Sequence, residues 1–86
     1  MLEFECTVTN KTGIHARPAG MLVKEANRFT SDISIQIGDK KADCKKIFSV
    51  MALAVKSGES VCFTISGEDE DAAKIAIKTF FADNLQ

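Results

Sequence analysis

The first residues of the chain alternate between apolar and polar side chains, a repeat of two that predicts a strand with one buried face. The apolar members of this strand are Leu2, Phe4, Cys6 and Val8. A loop over residues 10–13 follows, and from Ala16 the apolar spacing lengthens to that of a helix. The apolar stripe of this helix consists of Ala19, Leu22, Val23, Ala26 and Phe29. Pro18 is compatible with a first turn, where backbone N–H groups lack partners, so the helix is predicted to begin near Ala16.

A hairpin and a short helix are predicted next. Isoleucines alternate with polar residues over 33–37, and Gly38 with Asp39 supplies a two-residue turn into a strand over residues 40–44. Segment 47–54 is rich in apolar residues and suits a short helix. Its inward-facing residues are expected to be Val50, Leu53 and Ala54.

The end of the chain predicts one more strand and one more helix. Residues 60–66 alternate again, and Gly67 ends the strand. Acidic residues 68–71 precede the last helix, where they complement the positive end of its dipole. The order βαββαβα predicts an α+β open-faced sandwich, a four-stranded antiparallel sheet with helices on one face. The polar face of the sheet should carry Cys62, Thr64 and Ser66.

Length, charge and hydropathy argue against a multidomain protein, a general nucleic-acid binder and a membrane-inserted protein. A chain of 86 residues hides roughly 60% of its unfolded surface, enough for one core, so we expect a single domain over residues 1–86. The net charge of −1 gives no general attraction to nucleic acid or anionic lipid. No apolar stretch approaches the ~20 residues of a membrane span, and the first residues lack a signal-peptide pattern. We therefore expect a cytoplasmic protein that does not insert into membranes.

The cysteines argue against a disulfide framework or a metal site. Cys6, Cys44 and Cys62 are odd in number, widely spaced and without a CxxC pair. The paired ligand spacing of a zinc site is also missing. We expect three thiols that act as small apolar fillers, with no metal and no cofactor.

The single histidine lies where a loop containing Gly13 meets the first helix. The backbone N–H groups of Ala16 and Arg17 precede the first intrahelical donors, and together with the helix dipole they favour an anion there. Arg17 adds a guanidinium that can hold phosphate oxygens in bidentate fashion, and Pro18 keeps the turn rigid. A phosphoryl group on His15 would meet all of these influences. Spacing alone is also compatible with a capping or surface histidine.

The segment NKTGIHARPA, residues 10–19, closely resembles the active-site motif of HPr, the histidine-containing phosphocarrier of the bacterial phosphoenolpyruvate:sugar phosphotransferase system. Segments 29–33, 45–55 and 66–70 fall at HPr-like distances, so the resemblance covers essentially the whole chain. It implies that His15 accepts a phosphoryl group on Nδ1 from phosphorylated Enzyme I and passes it to IIA domains of sugar permeases. Arg17 would help to hold that group. The phosphoryl-binding set predicted with this motif is Thr12, Ala16, Arg17 and Pro18.

In HPr-like proteins the first and second helices form the docking face for partners. On the first helix, the residues placed away from the apolar stripe are Ala16, Gly20, Lys24 and Asn27. On the second, we expect an apolar anchor made of Ile47, Phe48 and Met51. The surrounding basic residues, which would meet an acidic partner surface, are Arg17, Lys24, Lys45 and Lys46. That Ile47 and Met51 pack inward stays open. We expect a monomer.

Lys46 departs from the pattern of the family. In many HPr proteins a serine at the matching position is phosphorylated by an HPr kinase/phosphorylase, and lysine has no hydroxyl to modify. The resemblance therefore predicts that this regulatory branch is absent or rerouted, with Ser49 as an alternative target one turn away. Two other functions stay open: an HPr-like regulatory module that binds partners without covalent transfer, and a carrier for a specialised non-sugar branch.

Overall fold

The computed structural model describes residues 1–86 as four strands and three helices. The strands are β1 (Leu2–Thr7), β2 (Asp32–Ile37), β3 (Lys40–Asp43) and β4 (Ser60–Ser66). The helices are α1 (Ala16–Ala26), α2 (Ile47–Ala52) and α3 (Glu70–Asn84). The predicted order βαββαβα is confirmed. None of the three helices combines the length and the apolar composition needed to cross a bilayer.

The strands form one antiparallel sheet in the order β1-β4-β2-β3. Strand β4 lies at its centre, with Phe63 opposite Phe4 of β1 and Ile35 of β2. Because side chains alternate along a strand, these apolar residues share the face that the helices cover. Cys62, Thr64 and Ser66 lie on the other face, half-buried or exposed. The predicted open-faced sandwich is confirmed.

Phe63 joins the sheet to α3 at the centre of the core. Its ring centroid lies 5.2 Å from that of Phe4 in a stacked pair and 5.4 Å from that of Phe81 in an edge-on pair. Cys6 and Cys44 are buried free thiols among these apolar residues. Burial raises the pKa of Cys44 to about 12, which keeps the thiol protonated and apolar in character. The prediction of thiols as core fillers is confirmed for these two cysteines.

Helix α1 ends earlier than its apolar stripe suggests, at Ala26. The prediction that Phe29 belongs to the helix is wrong: Phe29 donates its N–H to Ala26 O in a four-residue turn and packs partly buried against the core. The reason lies in Asn27, whose Nδ2 donates to Val23 O at 2.9 Å and to Lys45 O at 3.2 Å. Together with the N–H groups of Arg28 and Phe29, which bond to carbonyls three residues earlier, these bonds close the helix.

Helix α2 also ends before the predicted boundary, at Ala52. Val50 and Leu53 are buried as predicted, but Ala54 is exposed with a left-handed φ of 51°, so its inward assignment is wrong. The N–H groups of Leu53 and Ala54 bond to carbonyls three residues earlier, which closes the helix. The left-handed residue then turns the chain so that Val55 is buried.

Candidate functional site

The loop between β1 and α1 carries His15 and rests on the segment that follows α2. Ile14 is buried and donates its N–H to Val55 O at 3.0 Å. Gly13 adopts φ 68°, and a Cβ there would lie 2.4 Å from Val55 O and 2.9 Å from Lys56 Cα. Only glycine permits both the left-handed backbone and this close approach. The two residues before His15 are thereby fixed against the core.

The beginning of the same loop is held by the C-terminal end of α3. Thr9 and Asn10 both donate their N–H groups to Leu85 O, at 2.8 and 3.2 Å. The Asn10 side chain crosses the loop, and its Nδ2 donates to Gly13 O at 3.1 Å and to Thr12 Oγ1 at 3.4 Å. The loop is therefore tied at both ends and across its middle.

His15 is the N-cap residue of α1, with extended backbone angles of φ −97° and ψ −169°. Its side chain is exposed and makes no capping hydrogen bond, while its carbonyl accepts the N–H of Ala19 at 2.9 Å. The N–H groups of Ala16 and Arg17 precede this first intrahelical donor and have no backbone partner. These two donors and the positive end of the helix dipole thus directly follow His15 in the chain.

The other predicted phosphoryl-binding residues differ in what they can offer. Arg17 is exposed and forms no ion pair, so its guanidinium is free to bind an anion. Thr12 is also exposed, and its hydroxyl accepts a bond from Asn10, which leaves its own proton available. Pro18 is buried and has no N–H, so it shapes the first turn of α1 without touching a ligand through a donor.

The arrangement suits transfer to and from a second protein. The imidazole is accessible, has no hydrogen-bonded acid or base beside it, and lies at the end of a helix that favours negative charge. An anion bound here stays open to solvent and to a partner.

The apolar anchor predicted on α2 divides into exposed and packed residues. Phe48 is 82% exposed and Met51 36% exposed. Ile47 is half-buried, and its Cδ1 would lie 3.4 Å from a Cβ placed on Gly20, so it packs on α1 where glycine leaves room. The apolar surface of α2 thus consists mainly of Phe48 and Met51, and α1 supports it at Gly20.

The basic residues predicted around this anchor also differ, because some are free at the surface and one is bonded within the protein. Lys24 and Lys46 are exposed, whereas Lys45 donates its Nζ to Phe29 O at 2.7 Å. Asn27 likewise uses its amide to bond Lys45 O and Val23 O, so it joins the end of α1 to the start of α2. Of the predicted basic residues, Arg17, Lys24 and Lys46 therefore have charged groups without an internal bond.

Two residues of this region were not predicted from the sequence. Met21 is 42% exposed on α1, and its position outside the buried stripe of Leu22 and Ala26 was a usable signal. Asn10 is the second: its side-chain bonds within the loop have no signature in the sequence beyond the tendency of asparagine to bond to nearby backbone.

A protein-family model described as the PTS HPr component phosphorylation site matches residues 2–83 of the chain. This chain belongs to the HPr family. HPr-family relatives of high similarity include the phosphocarrier protein HPr of Mycoplasma capricolum subsp. capricolum, which is 42% identical over 83 residues, or 96% of this chain and 93% of the relative. The family is that of the phosphocarriers of the phosphotransferase system, and its members act with components of that system.

Solved HPr-family structures share the fold. A histidine-containing phosphocarrier protein from Mycoplasma superposes with a TM-score of 0.94 at 40% identity, covering 99% of both chains. The HPr-like protein Crh of Bacillus subtilis, solved as a domain-swapped dimer, gives a TM-score of 0.77 at 38% identity and covers 100% of this chain and 99% of its own. The similarity thus extends to both the phosphocarriers and their Crh relatives.

Proposed function

We propose that this chain accepts a phosphoryl group from phosphorylated Enzyme I on Nδ1 of His15 and passes it to IIA domains of sugar permeases. The observation that carries the proposal is the exposed His15 ring, free of internal bonds, directly before the unpaired N–H groups of α1. In the first step the bond from phosphorus to the donor atom breaks and leaves its electron pair on the donor. The Nδ1 lone pair of a neutral His15 forms the new P–N bond, and the donor group takes up the proton that the ring releases.

The surrounding groups stabilise the charge of the bound phosphoryl group. The N–H groups of Ala16 and Arg17, the Arg17 guanidinium and the Thr12 hydroxyl can donate to its oxygens. Pro18 holds the turn in which those donors lie. Because all the donors are near the surface, the second partner can approach the phosphorus atom in line and remove the group.

Partner docking would use the adjoining surface of α1 and α2. Phe48 and Met51 supply exposed apolar area, and Ile47 fills the space over Gly20. The positive charges of Arg17, Lys24 and Lys46 complement an acidic partner. Asn27 contributes through its internal bonds, because they connect the end of α1 to the residues just before α2.

Incubation of the chain with Enzyme I, phosphoenolpyruvate and Mg²⁺ tests the proposal. Mass spectrometry should show the addition of one acid-labile phosphoryl group, and addition of a IIA domain should remove it. His15→Ala should take up none while keeping the circular dichroism spectrum of the parent chain, because the ring is exposed. An unlabelled parent chain, or equal labelling of the variant, would contradict the proposal.

At Lys46 we propose that control by an HPr kinase is lost. Lys46 is exposed at the N-cap of α2 and offers a positive charge in place of a hydroxyl. Ser49 is half-buried within the helix, which disfavours it as a replacement target. Incubation with ATP and an HPr kinase should leave the chain unmodified, and efficient serine phosphorylation mapped to Ser49 would contradict this.

A regulatory module that binds without covalent transfer is the second candidate, and the similarity to Crh of Bacillus subtilis favours it. That protein is named for catabolite repression. The labelling experiment separates the candidates, because a purely binding module takes up no phosphoryl group at His15. A labelled chain that fails to discharge to sugar-specific IIA domains would instead indicate the specialised non-sugar branch.

We further propose that the chain works as a single-domain monomer in the cytoplasm. The 21 buried apolar residues form one cluster, and β1 pairs with β4 of its own chain through six residue pairs. A swapped dimer such as that of Crh would have to exchange such pairs between chains. Light scattering at several protein concentrations should give the monomer mass throughout.

A further inference from the structure

The orientation of the His15 side chain depends on the backbone of its loop. The imidazole makes no capping bond, and it is exposed to solvent on the surface of the molecule. Its Cα is set by buried Ile14 on one side and by the bond from Ala19 N–H to its own carbonyl on the other. The backbone of the loop before residue 14 therefore sets the position from which the His15 ring extends.

Asn10 is the residue that closes this loop. Its backbone N–H is anchored on Leu85 O at 3.2 Å, and Leu85 is fully buried. From this anchor its Nδ2 reaches Gly13 O at 3.1 Å and Thr12 Oγ1 at 3.4 Å. Gly13 is held by Val55 and Lys56 on its other side, so Asn10 supplies the remaining restraint on the peptide that leads to His15.

The oxygen of the Asn10 side-chain amide is unusual in this molecule. Asn10 Oδ1 is the one buried side-chain oxygen or nitrogen without a hydrogen-bond partner. Buried polar atoms are normally satisfied, so this oxygen sets Asn10 apart from the other buried polar side chains. The donors of the amide face the loop carbonyl and hydroxyl oxygens, and its acceptor is left unpaired.

We propose that Asn10 is a positioning residue for phosphoryl transfer, which holds the loop through Gly13 and Thr12 and thereby presents the His15 ring to the phosphorus atom. The bond that Thr12 Oγ1 accepts also leaves the Thr12 hydroxyl proton free to face a phosphoryl oxygen. This inference rests on the proposed function at His15.

Steady-state phosphorylation by Enzyme I, with the chain as the varied acceptor, tests the inference on Asn10→Ala and Asn10→Asp. Alanine removes the amide, while aspartate keeps its shape but loses the donors. Both variants should lower kcat about tenfold, since small misplacement of a reacting group is costly, and leave KM little changed because Phe48 and Lys24 lie outside the loop. Faster hydrogen exchange of the Ile14 amide should accompany the loss of kcat.

Ser31→Ala is the matched control, because it removes a side-chain hydrogen bond beyond the opposite end of α1. It should lower the urea midpoint while keeping the kcat of the parent chain. Parent kcat in both Asn10 variants, a change confined to KM, or slowing in Asn10→Asp alone, which charge repulsion explains, would each overturn the inference. An unlabelled parent chain would overturn the proposed function and this inference together, whereas a labelled parent with normal Asn10 variants overturns the inference only.

Discussion

At the scale of single residues, two glycines with similar backbone angles have different roles. Gly13 and Gly38 adopt φ of 68° and 56°, both in the left-handed region. A Cβ on Gly38 would meet nothing within 4 Å, whereas one on Gly13 would collide with Val55 O. The hairpin glycine is thus needed only for its conformation, and the glycine beside the site for both its conformation and its lack of a side chain.

Alanine substitution should separate these two roles. Gly38→Ala is expected to lower the free energy of unfolding by about 1–2 kcal/mol, the cost of a left-handed alanine. Gly13→Ala adds a steric collision and should cost about 2–5 kcal/mol. Urea unfolding of both variants measures the difference. Equal losses of unfolding free energy would show that the collision with Val55 does not contribute to the cost.

At the scale of elements, an acidic residue before α3 joins two loops that are distant in sequence. Asp69 accepts the N–H groups of Thr30 and Ser31 at 2.9 and 3.0 Å and also the Ser31 hydroxyl. These bonds, the Ser31 hydroxyl first, lower the pKa of Asp69 from 3.8 to about 2. The acidic segment was predicted to act on the helix dipole, and Glu70 and Asp71 do lie in the first turn. Asp69 instead holds the connection between α1 and β2.

The lowered pKa of Asp69 predicts a pH-dependent contribution to stability. The carboxylate binds protons less readily in the folded chain than in the unfolded chain, so its contribution is fully present above about pH 4 and is lost as the pH falls toward 2. The difference in free energy of unfolding between the parent chain and Asp69→Ala should shrink over that window. In Ser31→Ala, carboxyl NMR should show the pKa of Asp69 rising. A pH-independent difference would contradict the assigned bonds.

At the scale of the whole molecule, the end of α3 and the loop before His15 stabilise each other. Leu85 is fully buried and its carbonyl accepts the N–H groups of Thr9 and Asn10. The residue after α3 thus meets the loop that follows β1, beside the candidate site. Folding of the C-terminal helix is thereby coupled to the geometry of the loop.

Leu85→Ala should lower the free energy of unfolding by about 2–5 kcal/mol, because it leaves a cavity at a fully buried position. Ile75→Ala is the control on the same helix: Ile75 is 68% exposed, and its truncation should change stability by no more than about 0.5 kcal/mol. Denaturant titration of both variants measures this, and similar losses would mean that the end of α3 is not part of the cooperative core.

Residue pattern predicted most of the fold and placed His15 at a helix start, while the resemblance to HPr made it the centre of the candidate site. Apolar periods, the turn at Gly38 and the apolar richness of segment 47–54 predicted all seven elements. The glycine, histidine and proline near residue 15 predicted a helix start with free N–H groups. These features are local, since they depend on backbone dihedrals and on which side chains share one face. The errors at Phe29 and Ala54 arose where Asn27 and a left-handed turn ended helices whose apolar pattern continued.

Tertiary structure decided what holds and surrounds the histidine. The contacts of the loop with Val55 and Leu85 join segments 40 or more residues apart. The exposure of Phe48 and the partial burial of Ile47 depend on how α1 and α2 pack. No period in the sequence encodes such contacts, because they exist only once the sheet has brought the segments together. The sequence by itself therefore determined where the candidate histidine lies along the chain, and packing determined how rigidly its loop is held and in which surroundings.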